Sequence, residues 1–600
     1  MSDPAKATEN PWDIYPRPQL RRRSFYSLNG TWTLNTAEQD SCEIQVPFCV
    51  ESRLSGVMKH PKTGASLIYR KTFRLPEDFW RGRVLLHFGA VDQIARVVVN
   101  DRFYGSHEGG YTAFTVDITP SVRRNGENEL LVFVEDYLEL HTLPSGKQKE
   151  KRGGMWYTPV TGIWQSVWLE SVPADYIPNL RIRTAKDHVS VDIIPEAGIS
   201  TSPDLQTPGI HPEGSSGNSA KKPALPPVLP ISGHLKYHDG LQEVTVPVKR
   251  GHAEFTVKEP HFWSPEDPFL YPFTLSAGAD TVESYFALRD IGIGTVNGRP
   301  RLLLNGKPYY FHGVLDQGYF DGGIYTPETP AAYEKDLELL KACGFNMLRK
   351  HIKIEPEVFY WYCDRMGLAV FQDMVNCGRY SYFRDTVLPT IGIGKSRSDR
   401  RLNRSEKARS AFQTAMAASV SQLMNHPSIV YWTIFNEGWG QFEGSEMYDL
   451  LKSLDDSRVI DTASGWYHGK GLKTDVESRH VYFKAAKPVH SDKPYVLSEY
   501  GGYTLAVEGH VFDPGKSYGY KGHQTKDELM EDLSQLMERD VIAAVSEGLS
   551  ADIYTQLSDV EDEVNGLVTY DREVVKVDPA RMQALAERIF DAFKKGTANS

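Results

Sequence analysis

The chain reads as a multidomain β plus α/β protein, with two β-sandwiches in its first half and a (β/α)8 TIM barrel in its second. Three observations carry this reading. Short alternating strands broken by turn residues fill roughly the first 173 positions, and a smaller β region follows to about residue 291. Beyond Arg289, short apolar strands alternate with helical stretches. At 600 residues the chain is too long for one hydrophobic core, which agrees with three units at 1–173, 174–291 and 292–600.

In the first unit, strands are expected at 68–73, 84–88, 94–99 and 130–134, with hairpin-like breaks at Asn100-Asp101 and Arg124-Asn125-Gly126. It closes on Gly162-Ile163-Trp164 and the apolar run to Glu170, a sandwich pattern. The second unit places strands near 180–184, 189–194, 234–237 and 253–257. It is interrupted at 195–230 by a stretch rich in Pro, Gly and Ser with little to bury, expected to be a disordered loop. In the third unit, strands are expected at 309–314, 345–351, 368–373, 429–437, 459–463, 476–482, 495–499 and 551–557, the count for a (β/α)8 barrel. Helices are expected at 330–343 and 405–424, and a last one at 579–594 seals the barrel.

Lys and Arg number 67 against 78 Asp and Glu, a net charge of −11 that disfavours nucleic acid or an anionic membrane as partner. The one basic cluster, Arg21-Arg22-Arg23, is expected to be a solvated surface patch. Five widely spaced cysteines without a metal-type pair imply neither a disulfide framework nor a zinc site, and they fit a reducing compartment. No signal-peptide stretch opens the sequence and no run reaches membrane-spanning length, so a cytoplasmic protein is expected. A homo-oligomer stays open, since nothing in the sequence identifies a contact surface.

Two expected barrel strands run straight into a carboxylate: Ile429 onward ends in Asn436-Glu437, and Tyr495 onward ends in Ser498-Glu499. Strands four and seven of such a barrel deliver their ends to one face, so these carboxylates can meet in space. A pair of carboxylates is what glycosidic bond cleavage needs, one to protonate the leaving oxygen and one to act at the anomeric carbon. Searches for other chemistry find no GxxxxGK[ST] and no HExxH, and only bare GxG fragments at Gly292-Ile293-Gly294 and Gly392-Ile393-Gly394. No cofactor is expected to be required, and no spacing demands a metal ion.

The segments Trp432-Thr433-Ile434-Phe435-Asn436-Glu437 and Ser498-Glu499-Tyr500-Gly501 resemble the two active-site signatures of glycoside hydrolase family 2. Gly162-Ile163-Trp164 resembles the end of that family's sugar-binding jelly roll, Phe262-Trp263-Ser264-Pro265 its immunoglobulin-like domain, and Asn305-Gly306-Lys307-Pro308 the approach to its barrel. The resemblance implies an O-glycosidase (EC 3.2.1.-) that removes a terminal non-reducing sugar by a retaining double displacement, with Glu437 as general acid/base and Glu499 as nucleophile. It also implies that Arg349 neighbours the nucleophile, that Asn436 bonds the sugar 2-hydroxyl, and that Tyr482 touches the nucleophile. His480, two residues earlier on the same strand, shares the face of Tyr482.

Departures from better-known members bear on the sugar. After strand one, Asp316 and Gln317 stand where those relatives usually carry a basic run, and are expected to shape a different pocket. After strand two, the relatives' histidine three residues past the arginine is missing, with His351 and Lys353 as its candidate replacements. Trp439, Trp466 and Tyr503 are candidates to stack on sugar faces. No Asn-x-Lys triplet follows Glu499, which counts against glucuronides. Galactose-like, mannose-like and furanose glycones stay open, as do an inverting hydrolase and a catalytically inactive carbohydrate-binding scaffold on the same fold.

Overall fold

The structure is a computed structural model that describes residues 10–36, 39–196, 224–390, 393, 398–400, 402–482, 485–486, 489 and 491–598. Most of the loop expected at 195–230 therefore lies outside the described residues, as do Gly392 and Gly394. Residues 224–230 are described, and there Leu229 N–H bonds the Ile193 carbonyl along the second sandwich.

Two sheets of four and six antiparallel strands face one another across residues 25–172 and enclose an apolar core that includes Trp32, Leu34, Leu86 and Val132. The Asn100-Asp101 break is a turn with both residues at positive φ, 48° and 63°, the left-handed conformation that a two-residue hairpin uses. A three-stranded and a four-stranded sheet across residues 179–286 form the second sandwich, with its own core around Leu235, Leu275 and Phe286.

The basic cluster near the N-terminus departs from its expected solvated state, because Arg22 is buried and bridges the sandwiches. It donates to Glu170 Oε2 at 2.8 Å and to Asp280 Oδ2 at 3.0 Å. A guanidinium with carboxylates on two sides can be desolvated where a lone cation cannot. Gly292 and Gly294 lie within an ordinary strand, Ile291–Val296. All five cysteines are free thiols, and no helix among the described residues is long and apolar enough to cross a membrane.

Eight parallel strands then form the barrel: β1 (Phe311–Asp316), β2 (Met347–Lys350), β3 (Ala369–Asp373), β4 (Ile429–Asn436), β5 (Val459–Ser464), β6 (Glu477–Val481), β7 (Tyr495–Gly501) and β8 (Leu549–Thr555). β8 pairs with both β1 and β7, and β5 and β6 meet at the seam, where Asp475 N–H bonds the Ile460 carbonyl. β1 begins and ends two residues later than the sequence suggested. Phe311, Leu315, Met347, Phe371, Tyr431, Val496 and Ile553 fill the barrel interior. Outside it, the helix Glu406–Leu423 starts where the Ser405 side chain caps Ala408 N–H. The helix Pro579–Thr597 starts at Asp578, with Pro at its first position.

Candidate active site

Strand irregularities aim the carboxylates. On β7, Leu497 pairs with Arg479 while Glu499 pairs with His480, so Ser498 is an extra residue in the ladder. This bulge turns Ser498 and Glu499 both inward, while Tyr500 beyond them bonds the outward-facing Asp552 at 2.8 Å. At the end of β4, Phe435 stacks outward on Phe412 at 5.0 Å, and Glu437 adopts φ 54° before Gly438 at 73°. A left-handed non-glycine residue at this point is strain the surroundings must hold, and such strain concentrates at functional sites. Here Glu437 N–H bonds the Ser464 carbonyl at 2.9 Å and its own carbonyl accepts from the Trp466 indole at 2.9 Å.

The two carboxylates meet. A Glu437 oxygen, a His480 ring nitrogen and a Glu499 oxygen all lie within 4.8 Å of one another. His480 Nδ1 is 2.8 Å from Glu437 Oε1 and 3.5 Å from Glu499 Oε2, and its Nε2 is 3.0 Å from Ser464 Oγ. Arg349 ties the site together: Nη1 donates to Glu499 Oε1 at 3.0 Å and to the Ser498 carbonyl at 3.0 Å. Its Nη2 reaches Asn436 Oδ1 at 2.9 Å, and its Nε reaches Asp373 at 2.9 Å. Tyr482 donates to Glu499 Oε2 at 2.5 Å and lies 3.1 Å from Thr555 Oγ1.

Environment separates the two acids. Burial alone would raise the Glu499 pKa, but His480 and Arg349, with a smaller contribution from Lys147, overcome it and hold the group at about 2. Its side chain is 7% exposed against 17% for Glu437, which faces the open side. Asp373 is likewise held below the usual carboxylate range against its burial, chiefly by Arg349. Burial pushes His351 down to about 4, so beside Asp373 Oδ2 at 2.7 Å it is a neutral ring. Two carboxylates and an imidazole could share a cation, but both Glu499 oxygens already accept from Arg349 and Tyr482.

The structure thus brings Glu437, Glu499, Asn436, Arg349, His351, His480 and Tyr482 together. Asp316 does not join them. It points to the outer face of the barrel and takes Lys350 Nζ at 2.5 Å, and Lys350 also reaches Glu355 at 2.9 Å. Period-two alternation explains this, since Leu315 occupies the inward phase. Lys353 is buried too, bonding the Tyr325 carbonyl at 2.7 Å and Glu355, and does not replace the missing histidine. Gln317 faces a different neighbourhood at the mouth, donating to Tyr157 Oη at 2.5 Å and Gln556 Oε1 at 2.8 Å. Trp466 sets its edge against His480 with centroids 5.6 Å apart, and Trp439 packs edge-on to Trp156 at 5.2 Å. Tyr503 is half-buried beside His523, at 5.5 Å.

Sequence reasoning missed Asp373, although it ends an expected strand as the two glutamates do. It also missed the first sandwich's contribution. Residues 141–162 of that unit lie across the barrel mouth: Ser145 N–H bonds the Asn376 carbonyl at 3.1 Å, Thr158 N–H bonds Glu561 at 2.9 Å, and Tyr157 bonds Glu563. The loop presents Lys147, whose charge reaches Glu499 and His351 and whose ammonium has no ion pair or hydrogen bond among the described residues. The run Lys147-Gln148-Lys149-Glu150-Lys151-Arg152 was a visible signal, a basic stretch just before the sandwich's last strands.

Comparison with known proteins bears on the same three units. Residues 27–173 match the sugar binding domain of glycosyl hydrolases family 2, residues 183–289 match a further model of glycosyl hydrolases family 2, and residues 296–585 match its TIM barrel domain. A putative beta-glucuronidase from Formosa agariphila is 25% identical over 82% of this chain and 58% of its own length. A beta-glucuronidase from Streptococcus agalactiae is 23% identical, covering 82% of this chain and 84% of that protein. A beta-galactosidase from Aeromonas hydrophila is 27% identical over 71% of this chain and 38% of its own. The chain therefore spans less than two thirds of the first and third of these relatives. Among solved structures, a GH2 beta-galacturonidase from Eisenbergiella tayi bound to galacturonate superposes with TM-score 0.64 at 19% identity, over 97% of this chain and 99% of that one. The beta-D-glucuronidase of Dictyoglomus thermophilum gives 0.68 at 18% identity, over 96% and 98%. With all three family domains matched in order and the paired glutamates at the ends of β4 and β7, the chain belongs to glycoside hydrolase family 2.

Proposed function

We propose that this chain is a retaining exo-glycosidase in which Glu499 is the nucleophile and Glu437 the general acid/base. The observation that carries it is the approach of their oxygens to within 4.8 Å, the spacing of direct attack rather than of an intervening water. In the first step Glu499 bonds the anomeric carbon as the glycosidic C–O bond breaks and Glu437 gives its proton to the departing oxygen. In the second, Glu437 takes a proton from water, whose oxygen attacks the same carbon and releases Glu499. The ionised state of Glu499 suits a nucleophile, and Asn436, held by Arg349, is placed to bond the sugar beside it.

The test is a panel of aryl glycosides, including β-glucuronides, β-galacturonides and β-galactosides because the relatives bear those names, with NMR of the first-formed anomer. Retention is expected; inversion would overturn the assignment. Glu499→Ala should abolish turnover and permit azide rescue with inverted product, whereas Glu437→Ala should spare substrates with good leaving groups. The division into units at 1–173, 174–291 and 292–600 is supported by the sheets, each of which lies within one unit except that the strand Ile291–Val296 begins one residue before the last limit. Cytoplasmic residence is supported by five unpaired thiols.

A further inference from the structure

Arg289, at the end of the second sandwich, is buried against the foot of β4 without a counter-ion. Its Nε donates to the Pro427 carbonyl, its Nη1 to the Ser457 carbonyl and its Nη2 to the Ile429 carbonyl, each at 3.2 Å, and it forms no ion pair among the described residues. A guanidinium carries five N–H groups, so two on the Nη atoms are left without an acceptor. The neighbouring Arg458 differs, since its N–H groups reach Asp455 at 2.7 Å, the Ser457 hydroxyl at 3.1 Å and the carbonyls of Ile429, Met424 and His426 at 2.8, 2.7 and 2.9 Å. Burial and the charge of Arg458 push the Arg289 guanidinium down to about 9. The nearby acids do not relieve it: Asp455 is committed to Arg458, Asp290 is exposed, and Asp364 accepts from Tyr285 at 2.6 Å and from Ser428 N–H at 2.9 Å. Beside Arg289, at the seam of the second sandwich and the barrel, lies a cavity of about 30 Å³ whose lining includes Arg183, Asn425 and Arg458. No acidic side chain among the described residues lines it, the Asn425 amide is spent on Leu180 and Ile182, and exposed Arg183 makes no ion pair among the described residues. A buried charge is tolerated when it is paired, and a space of this size admits one or two water-sized particles, so a monatomic anion meets both conditions.

We propose that this cavity binds a small monovalent anion of the chloride type, held by the two uncommitted N–H groups of Arg289 with Arg183 beside it, and that the ion fastens the second sandwich to the strand that carries Glu437. The direct test is a crystal of the wild-type protein soaked in sodium bromide, whose anomalous map should show a peak within hydrogen-bond distance of Arg289. Thermal melts read the linkage, with chloride exchanged for gluconate, an anion too large for the cavity, so that ionic strength stays constant. Raising chloride from about 10 to about 200 mM should lift the wild-type melting temperature by about 2 °C or more. Arg183→Gln, a change at an exposed position, should raise the chloride midpoint several-fold, and Arg289→Met should abolish the dependence. Where Arg289→Met does not fold, the bromide map and Arg183→Gln decide. A map without bromide at Arg289, a melting temperature indifferent to chloride, or a wild-type midpoint in Arg183→Gln would each overturn the proposal. A bromide peak without a chloride-dependent shift marks an adventitious ion only and overturns it as well. No substrate enters these measurements, so their outcome is independent of the glycosidase reading.

Discussion

Arg349 holds four acceptors through three nitrogens, and replacing it by lysine or methionine separates the geometry of that fork from its charge. Lysine keeps the charge but gathers its donors on one nitrogen, so it cannot serve Asp373, Asn436 and Glu499 together. Hydrogen bonds to charged groups contribute about 1.5–3 kcal/mol each, so losing two sets a loss of about 3–6 kcal/mol to be divided between stability and transition-state binding. Arg349→Lys should therefore lower kcat/KM by roughly 10²–10³-fold and destabilise the fold in urea by about 1–3 kcal/mol at neutral pH. Methionine removes the charge as well, and its signature is in pH. Folding holds Glu499 at about 2, below its ordinary 4.5, so the pair stabilises the protein fully above about pH 4.5 and that stabilisation is lost as pH falls toward 2. At about 1.4 kcal/mol per pH unit, this is worth on the order of 3 kcal/mol, shared among the cations that surround the group. In Arg349→Met the acid limbs of both stability and kcat/KM should move up toward pH 4–5. An Arg349→Lys enzyme within tenfold of wild type, or an acid limb unmoved in Arg349→Met, would refute the reasoning.

Lys147→Met should reduce kcat/KM by about tenfold or more with its melting temperature little changed, because the ammonium makes no ion pair or hydrogen bond among the described residues and acts through its charge on Glu499 and on what enters the site. Glu51 is buried and burial pushes its carboxyl up to about 8, although Thr161 N–H bonds it at 2.9 Å. Its contribution is therefore intact below about pH 4.5 and is lost as pH rises to about 8, so Glu51→Gln should flatten the fall in urea stability between those limits by a few kcal/mol. A Cβ on Gly162, at φ 93°, would lie 1.9 Å from the Tyr69 hydroxyl, so Gly162→Ala should cost about 2 kcal/mol or more by denaturant melt.

What the sequence made legible follows from how each side chain is aimed. Glu437 and Glu499 were readable because each ends a continuous apolar strand whose far end must open on one barrel face, and Asn436 and Arg349 came with the resemblance that those strand ends carry. Tyr482 came with the resemblance, and His480 followed from it by period-two geometry. The same rule, applied one residue further along β1, would have placed Asp316 outside, since its phase is opposite to that of Leu315. Lys353 was misplaced because the chain turns after His351, and Ile352 has a positive φ of 55°. The bulge at Ser498 leaves no local mark, as no residue type there is special to bulges. Arg22 and Lys147 could not be placed from linear spacing, since Arg22 is buried against Asp280 of the second unit and Lys147 acts by its charge on Glu499 of the barrel.

The sandwich loop across the barrel mouth makes the candidate active site a composite of two independently mutable segments. An excised barrel would carry both glutamates yet leave Glu561 and Glu563 without the backbone and phenol donors that now bond them, and Glu499 would keep Arg349 but lose the charge of Lys147. Grafting that loop between homologues should therefore transfer selectivity while the cleavage machinery stays in place, which makes the first 173 residues a natural unit for engineering exchange.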